Sequence, residues 1–378
     1  MRLKSLAVVS AIILLGVGAI PSANAGYVFT DLGTLGGANS SAWDVNVHGQ
    51  TVGYSFTASN ARRATLWNGG IITELSTLGD GTNDAAVAIN NSGQIVGRVG
   101  TANNTIRATL WNGSTITVLD PSGDFYSNAV AINSTGQIVG YREASNAPRR
   151  AILWDGGAMT SLGILGDGAY GAATDINDAG QIVGHSSTAN NIRHATFWDG
   201  NTITDLGTLH GGGTDSVAFA INNAEQIVGY STNIGSYNLS ATLWHGGIIT
   251  ALDTLGGADS IAYDINNTGQ IVGWIANNSN SARHASLWDG GIATDLNSLL
   301  DASAISAGWE LIEAHGINDN GWIVGDAANR FTGQTHGFLL SNSITAIAHV
   351  PEPATYTMLL SGLGLLGFTR RSRKNLSA

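Results

Sequence analysis

A seven-bladed, all-β propeller with four antiparallel strands per blade is the fold this sequence predicts, on three observations. The phrase Gly49-Gln50-Thr51-Val52-Gly53 returns as a GQIVG pattern starting at Gly93, Gly136, Gly180, Glu225, Gly269 and Gly321. Successive starts lie 44, 43, 44, 45, 44 and 52 residues apart, so only the last unit carries an insertion. A second anchor keeps the same beat, with a Leu/Phe-Trp pair ending at Trp67, Trp111, Trp154, Trp198, Trp244 and Trp288 and a Trp-less counterpart at Phe338-Leu339-Leu340. A fixed period of this size marks an array of one supersecondary unit, and four short strands per period fit a blade whose faces are buried by its neighbours. A parallel β-solenoid is disfavoured, because its coils are shorter and need no pair of hairpin turns.

Residues 258 to 299 show how one unit is built. Ser260 to Ile265 alternates apolar and polar residues and ends at Asn266-Asn267-Thr268-Gly269, and Gln270 to Trp274 follows directly, which is a hairpin. Asn at the first turn position and Gly at the fourth fit a type I turn whose last residue is left-handed, where glycine avoids a Cβ clash. The same offset joins Asn46 to Gly49, Asn90 to Gly93, Asn133 to Gly136, Asn177 to Gly180 and Asn318 to Gly321. Glu225 breaks it after Asn222, so that turn must bear strain or change type. Ile-Val-Gly is apolar at successive positions, as in a strand buried on both faces. Arg283 to Trp288 forms a third strand, Asp289-Gly290-Gly291 a second tight turn, and Ile292 to Leu299 a fourth strand.

The fourth-strand motif occurs eight times and the others seven. The surplus copies are terminal, Tyr27 to Leu35 and the weaker Ser343 to Ile347. Tyr27 to Leu35 is therefore expected to complete the last blade, beside strands near Ala314 to Ile317, Trp322 to Asp326 and Thr335 to Leu340.

The ends carry addresses. Residues 1–25 combine Arg2 and Lys4, an apolar run from Leu6 to Ile20, and Ala23-Asn24-Ala25, which reads as a secretory signal peptide cleaved after an A-x-A site at Ala23 and Ala25. Residues 350–378 contain Val350-Pro351-Glu352-Pro353, an apolar stretch from Ala354 to Phe368, and the cations Arg370, Arg371, Arg373 and Lys374. Cations there would hold the tail in the cytoplasm, and the stretch is short beside the roughly 20 residues of a usual spanning helix. Between them, residues 26–349 form one repeat domain without internal linkers.

Pro351-Glu352-Pro353, a Gly-rich apolar helix and a terminal Arg cluster together resemble the PEP-CTERM sorting signal of Gram-negative envelope proteins. The resemblance implies that exosortase, a membrane protease-transpeptidase, recognises Pro351-Glu352-Pro353 and removes the tail. The chain, transiently anchored in the inner membrane through that short transmembrane helix, is then released to the outer surface or the exopolysaccharide matrix.

Setting aside Arg2 and Lys4 at one end, and Glu352 with the four cations at the other, 10 Arg and no Lys face 26 acidic residues, a net charge of −16. Nucleic acid and anionic lipid are poor partners for such a surface. Cysteine is absent, which excludes disulfides, thiol nucleophiles and Cys-ligated zinc.

The repeat also resembles the HAF repeat of bacterial extracellular proteins, in Arg193-His194-Ala195-Thr196-Phe197-Trp198, in Thr204 to Leu209, and in Ala220-Ile221-Asn222-Asn223. Arg63, Arg107, Arg150 and Ser240 replace the eponymous His, which remains at His194, His284 and His336. That variation argues against a shared catalytic His, and the family implies an extracellular location without a general activity.

Site chemistry finds little local support. The three repeat His, with His185, His210 and His245, fall on different blades, whereas zinc ligands must converge within about 2.0–2.2 Å of one ion. The stretches Asp175 to Gly180 and Asp264 to Gly269 echo a calcium loop but carry Ala179 or Thr268 in place of the fifth-position carboxylate and have no late Glu, and read as turns. Asp31, Glu74, Asp205 and Asp295 recur at one period position, as structural residues do. No G-x-S-x-G, H-E-x-x-H or phosphate-binding loop is present. No cofactor, metal or catalytic residue is therefore assigned.

The function expected is a secreted, non-catalytic binding or matrix-associated scaffold, with exopolysaccharide or another surface protein as partner. The alternative is a polysaccharide-processing enzyme, which needs paired carboxylates about 5–9.5 Å apart in a cleft. Specific function is expected where the beat fails: Glu225, Ser240 and the insertion from Asp301 to Glu310 before Trp309.

Overall fold

A computed structural model describes residues 26–79, 83–103, 105–122, 125–144, 147–209, 215–232, 238–276 and 282–342. Seven four-stranded antiparallel sheets stand as blades around a central channel. The innermost strands are Gly36–Val45, Ala85–Ile89, Phe125–Ile132, Gly171–Ile176, Ser216–Ile221, Ser260–Ile265 and Trp309–Ile317. In blades 1 to 6 the remaining strands follow outward in chain order.

Blade 7 takes its outermost strand from the other end of the chain. Tyr27–Asp31 pairs antiparallel with Thr335–Asn342, Tyr27 opposite Asn342 and Asp31 opposite Phe338. The ring thus closes by the strand exchange that the surplus motif predicts, with a shorter closing strand than Tyr27 to Leu35. The copy at Ser343 to Ile347 lies outside the described residues, as do the leader and the tail. Among the described residues no helix is long and apolar enough to cross a membrane.

The Asn-x-x-Gly turns form as the sequence dictates. In each, the fourth residue's N–H donates to the Asn carbonyl at 2.9 to 3.1 Å. Glu225 adopts the same turn with φ +58, so it keeps the geometry and bears a left-handed backbone that a side chain disfavours.

The glycine that ends each GQIVG has a different cause. Every inner strand carries a β-bulge, for example between Ala42 and Asp44 and between Ala262 and Asp264. A Cβ on Gly53 would lie 2.0 Å from the Ser41 carbonyl oxygen, and one on Gly273 1.9 Å from that of Ile261. The bulge presses the inner strand against its neighbour, and only glycine fits.

Between blades, the Ile and Val of each motif are buried on opposite faces, as with Ile95 at 4% exposure and Val96 at 0%. The repeated Trp side chains are buried as well. Trp111, Trp198 and Trp288 donate their indole N–H to Ser76, Gly163 and Asp253 of the preceding blade at 2.7 to 2.9 Å.

In blade 6 the fourth strand ends at Asp295, and Leu296–Leu299 is a 3-10 turn rather than strand, because the Asp295 carboxylate accepts the Asn297 N–H at 2.9 Å. The insertion forms a one-turn helix, α1 (Ala302–Ser306), capped by Asp301, and its Ala304 packs with Leu296, Leu300 and Leu311. The insertion therefore packs one side of α1 onto the core of blade 7.

Candidate ligand-binding mouth of the ring

The channel, about 300 Å³, is lined by inner-strand residues of all seven blades. The turns close around it in a continuous hydrogen-bonded ring. Each Asn side chain donates to the backbone carbonyl of the equivalent Asn in the next blade: Asn46 to Asn90, and so on to Asn266 and Asn318. Asn318 returns to Asn46 at 2.8 Å across the seam. The same Asn oxygen accepts the N–H groups two and four residues on, so one side chain fixes its own turn and its neighbour's position. In each motif the following Gln accepts from that Asn, as Gln50 does at 2.8 Å. Trp322 replaces Gln in blade 7, and its ring would be 2.4 Å from a Cβ on Gly49.

Above this ring stand three carboxylates, Asp44, Asp175 and Asp264, on blades 1, 4 and 6. Each accepts its own following N–H and one from the next blade, Ile89, Ile221 or Ile317, the latter at 2.8 Å. They are inter-blade ties. Burial pushes all three up against the pull of those N–H bonds, Asp44 to about 6 and Asp175 to about 7. Burial, and then the charge of Asp44, raise Asp264 to about 8. The D-x-N stretches are thus bridges between blades.

The bulges place one extra residue each toward the channel: Trp43, Val87, Val130, Thr174, Phe219, Tyr263 and His315. Outside them runs a belt made by the residue that follows each I-V-G or its variant: Tyr54, Arg98, Tyr141, His185, Tyr230, Trp274 and Asp326. Arginines opening the third strands lie over these rings, Arg62 at 3.9 Å from the Tyr54 centroid, Arg149 at 4.2 Å from Tyr141 and Arg283 at 4.4 Å from Trp274.

The belt has two characters. In blades 4 to 7 its polar groups neutralise one another. Arg193 forks onto Asp215 at 2.8 and 2.5 Å and reaches the Tyr230 hydroxyl at 2.6 Å. Arg283 pairs with Glu313, which also accepts from Tyr263 at 3.4 Å, and His315 meets Asp326 at 3.3 Å. Burial, followed by Arg193 and Arg149, pulls the His185 imidazole down to about 4, so it is neutral.

In blades 1 to 3 two cations lack a carboxylate within bonding reach. Arg62 and Arg98 both lie over Trp43, at 5.5 and 5.8 Å from its centroid. Arg62 donates to the neutral Asn83 at 3.2 Å, while Arg98 makes no hydrogen bond or ion pair among the described residues. The Nε of each is buried without an acceptor. Burial and the Arg98 charge lower the Arg62 guanidinium to about 10. Tyr126, 37% exposed, stacks on Tyr141 at the edge of this patch.

The structure also accounts for two columns seen in the sequence. The repeat His and the repeat acid face each other across strands three and four: His194 with Asp205 at 2.8 Å, His284 with Asp295 at 2.6 Å, His336 with Asp31 at 2.9 Å, and Arg63 with Glu74 at 3.1 Å. These are cross-strand pairs on separate blades. His245 is exposed at the end of a third strand, and His210 lies outside the described residues. Ser240 is buried at 8% exposure, and Glu225 accepts from Gln181 of the previous blade at 2.9 Å. Neither lies in the belt. Among the described residues no group of three His, Asp or Glu converges to hold a metal ion.

Ala23, Ala25, Pro351, Glu352, Pro353, Arg370, Arg371, Arg373 and Lys374 lie outside the described residues, but family comparison reaches the last seven. The PEP-CTERM protein-sorting motif matches residues 349–374. Such a motif is a substrate signal for exosortase and implies export to the cell envelope or surface of Gram-negative bacteria, here of a β-propeller. A protein of unknown function (DUF3466) model matches residues 244–349. No curated protein matches the chain significantly.

Solved structures share the fold at low identity. An oligogalacturonate lyase in complex with manganese is similar with TM-score 0.54 and 13% identity, over 85% of this chain and 95% of that one. The β-propeller domain of the Trilobed protease from Pyrococcus furiosus gives TM-score 0.48 and 10% identity over 80% and 95%. A Mycobacterium tuberculosis puromycin-hydrolyzing peptidase gives 0.47 and 13%, over 83% of this chain but 53% of the peptidase, so the chain spans about half that protein's length. The likeness to the lyase shows the fold alone.

Proposed function

We propose that this protein is a secreted, non-catalytic binding propeller of the extracellular matrix or cell surface, and that it engages polysaccharide through the aromatic and arginine belt at one mouth of its channel. The observation that carries this reading is the belt: seven successive blades place Tyr, Arg, Tyr, His, Tyr, Trp and Asp at one level, with Tyr54, Arg98, Tyr141, His185 and Asp326 partly exposed and Tyr230 and Trp274 buried. Flat aromatic faces with polar edges suit the faces and hydroxyls of sugars. The sorting motif and the resemblance to HAF-repeat proteins both favour an extracellular setting. The repeated Trp of the third strands take no part, because they are buried between blades.

A glycan-array screen of the purified ring, complete within residues 27–342, tests the proposal when paired with product analysis of any bound glycan. Binding without cleavage is expected. Turnover of a polysaccharide would transfer the protein to the enzymes, and an array without a bound saccharide would end the binding reading.

A further inference from the structure

We infer that the mouth of blades 1 to 3 binds an acidic saccharide, a chain of carboxylate-bearing sugars of the uronic-acid type, through Arg62 and Arg98 over Trp43. This rests on the polysaccharide-binding reading above and adds the ligand's chemical class.

Charge distribution is the first ground. The stretch between the sorting signals carries a net −16, yet nine of its ten Arg lie on second and third strands of blades. Five are matched to acids: Arg63 to Glu74 and Asp84, Arg142 to Asp120, Arg149 to Glu143, Arg193 to Asp215 and Arg283 to Glu313. Arg62 and Arg98 form no ion pair among the described residues and put two like charges side by side. On a surface that repels anions, such a spot steers one to a defined place.

Unmet donors are the second ground. A buried guanidinium N–H without an acceptor loses its hydration and gains nothing, and both Arg62 and Arg98 hold their Nε in that state. A ligand carboxylate over the guanidinium groups would offset that cost with charge-assisted bonds to their outer N–H groups, because the planar guanidinium fork matches its two oxygens.

Ring geometry is the third. Trp43 lines the channel, Tyr54 packs edge-on to it at 5.3 Å, and Tyr126 stacks on Tyr141 at 6.3 Å. Aromatic faces with cations between them fit alternating sugar faces and carboxylates. A nucleic acid backbone requires a run of phosphate-neutralising cations, and two on an otherwise acidic molecule do not supply it.

Titration calorimetry of the purified ring with a hexameric oligouronate, a neutral glucan hexamer and a sulfated glucan of equal length tests this. The oligouronate is expected to bind at least about 10-fold tighter than the neutral hexamer, and to weaken in about 0.5 M salt. The double variant Arg62→Gln, Arg98→Gln should lose that preference, while Arg330→Gln, outside the belt, keeps it. A circular dichroism melt establishes that the double variant is folded, and the single Arg98→Gln provides a second test with one change. Equal binding of neutral and acidic hexamers, or an unaffected double variant, overturns the assignment while leaving polysaccharide binding standing. Preference for the sulfated glucan replaces carboxylate by sulfate and overturns the uronate class. Failure of every saccharide overturns this inference and the proposed function together.

Discussion

The mouth of the ring is built in two ways on one frame. In blades 4 to 7, Arg193 and Arg283 lie beside aromatic rings and are each held by a carboxylate, Asp215 or Glu313. In blades 1 and 2, Arg62 and Arg98 lie over Trp43 with no acid bound to them. The difference teaches that a cation over an aromatic ring is part of this blade architecture, whereas its neutralisation is a separate choice. Where the acid is present the group is finished as structure; where it is absent, charge is left for something outside the chain.

If that contrast is confined to the mouth, the frame beneath must be equivalent on both sides. Gly97→Ala and Gly273→Ala place a Cβ 2.1 and 1.9 Å from carbonyl oxygens of the bulged strand in blades 2 and 6. Each is expected to cost about 3 kcal/mol or more in urea unfolding, by similar amounts. A tolerated substitution on one side alone would show that the two halves differ below the mouth.

Removing the arginines should separate the halves next. Arg193→Ala leaves Asp215 half-buried without its partner and is expected to cost about 1–2 kcal/mol, allowing for the solvent that reaches a pair 36% and 25% exposed. Arg98→Ala breaks no ion pair among the described residues, and the melting temperature should hold or rise. Equal losses at both sites would dissolve the distinction.

The channel carboxylates give a pH test with a definite sign. Asp44, Asp175 and Asp264 are raised to about 6, 7 and 8 in the folded ring, so the fold binds protons that the unfolded chain has released. Stability is therefore greatest in acid and declines as pH rises from about 4 to about 8, levelling above that. Asp264→Ala copies the residue that blades 2, 3 and 5 already carry at Ala88, Ala131 and Ala220. It should flatten the upper part of that decline in melts taken across the pH series. An unchanged slope would place the titration elsewhere.

The smallest effect is expected at Glu225→Gly, which relieves a left-handed backbone of φ +58 and gives up the bond from Gln181. A net gain of about 0.5–1 kcal/mol in urea unfolding is expected. Saccharide binding should be unaffected, because the change touches the turn ring and not the mouth.

The ring itself was legible in the sequence because its constraints repeat. Turns demand Asn and Gly at fixed spacing, and a blade buried on both faces demands Ile and Val together. Closure was legible from one strand motif too many. The mouth was not, since its column reads Tyr54, Arg98, Tyr141, His185, Tyr230, Trp274 and Asp326, which share no chemistry a pattern would register. Yet all seven follow directly after the most regular phrase in the chain, and a search for variable chemistry at an invariant position would have found them. The expectation that function lies where the beat fails pointed instead to Glu225, Ser240 and the Asp301 insertion, which the structure assigns to a turn, a buried strand position and packing. The His and acid columns were both seen, but their pairing needed the register between third and fourth strands, which for His336 and Asp31 joins the two ends of the chain.

The seam has a consequence for the order in which the ring can come into being. Tyr27–Asp31 precedes every blade in the chain, yet its partner is Thr335–Asn342, and the His336 contact to Asp31 spans 305 positions. A strand that is made early must stay unpaired until the final blade arrives, so six blades stack before the circle shuts. The strand that receives it, Thr335–Asn342, lies immediately before the segment that carries the sorting signal. Closure of the ring and the address for export are thus neighbours in the chain.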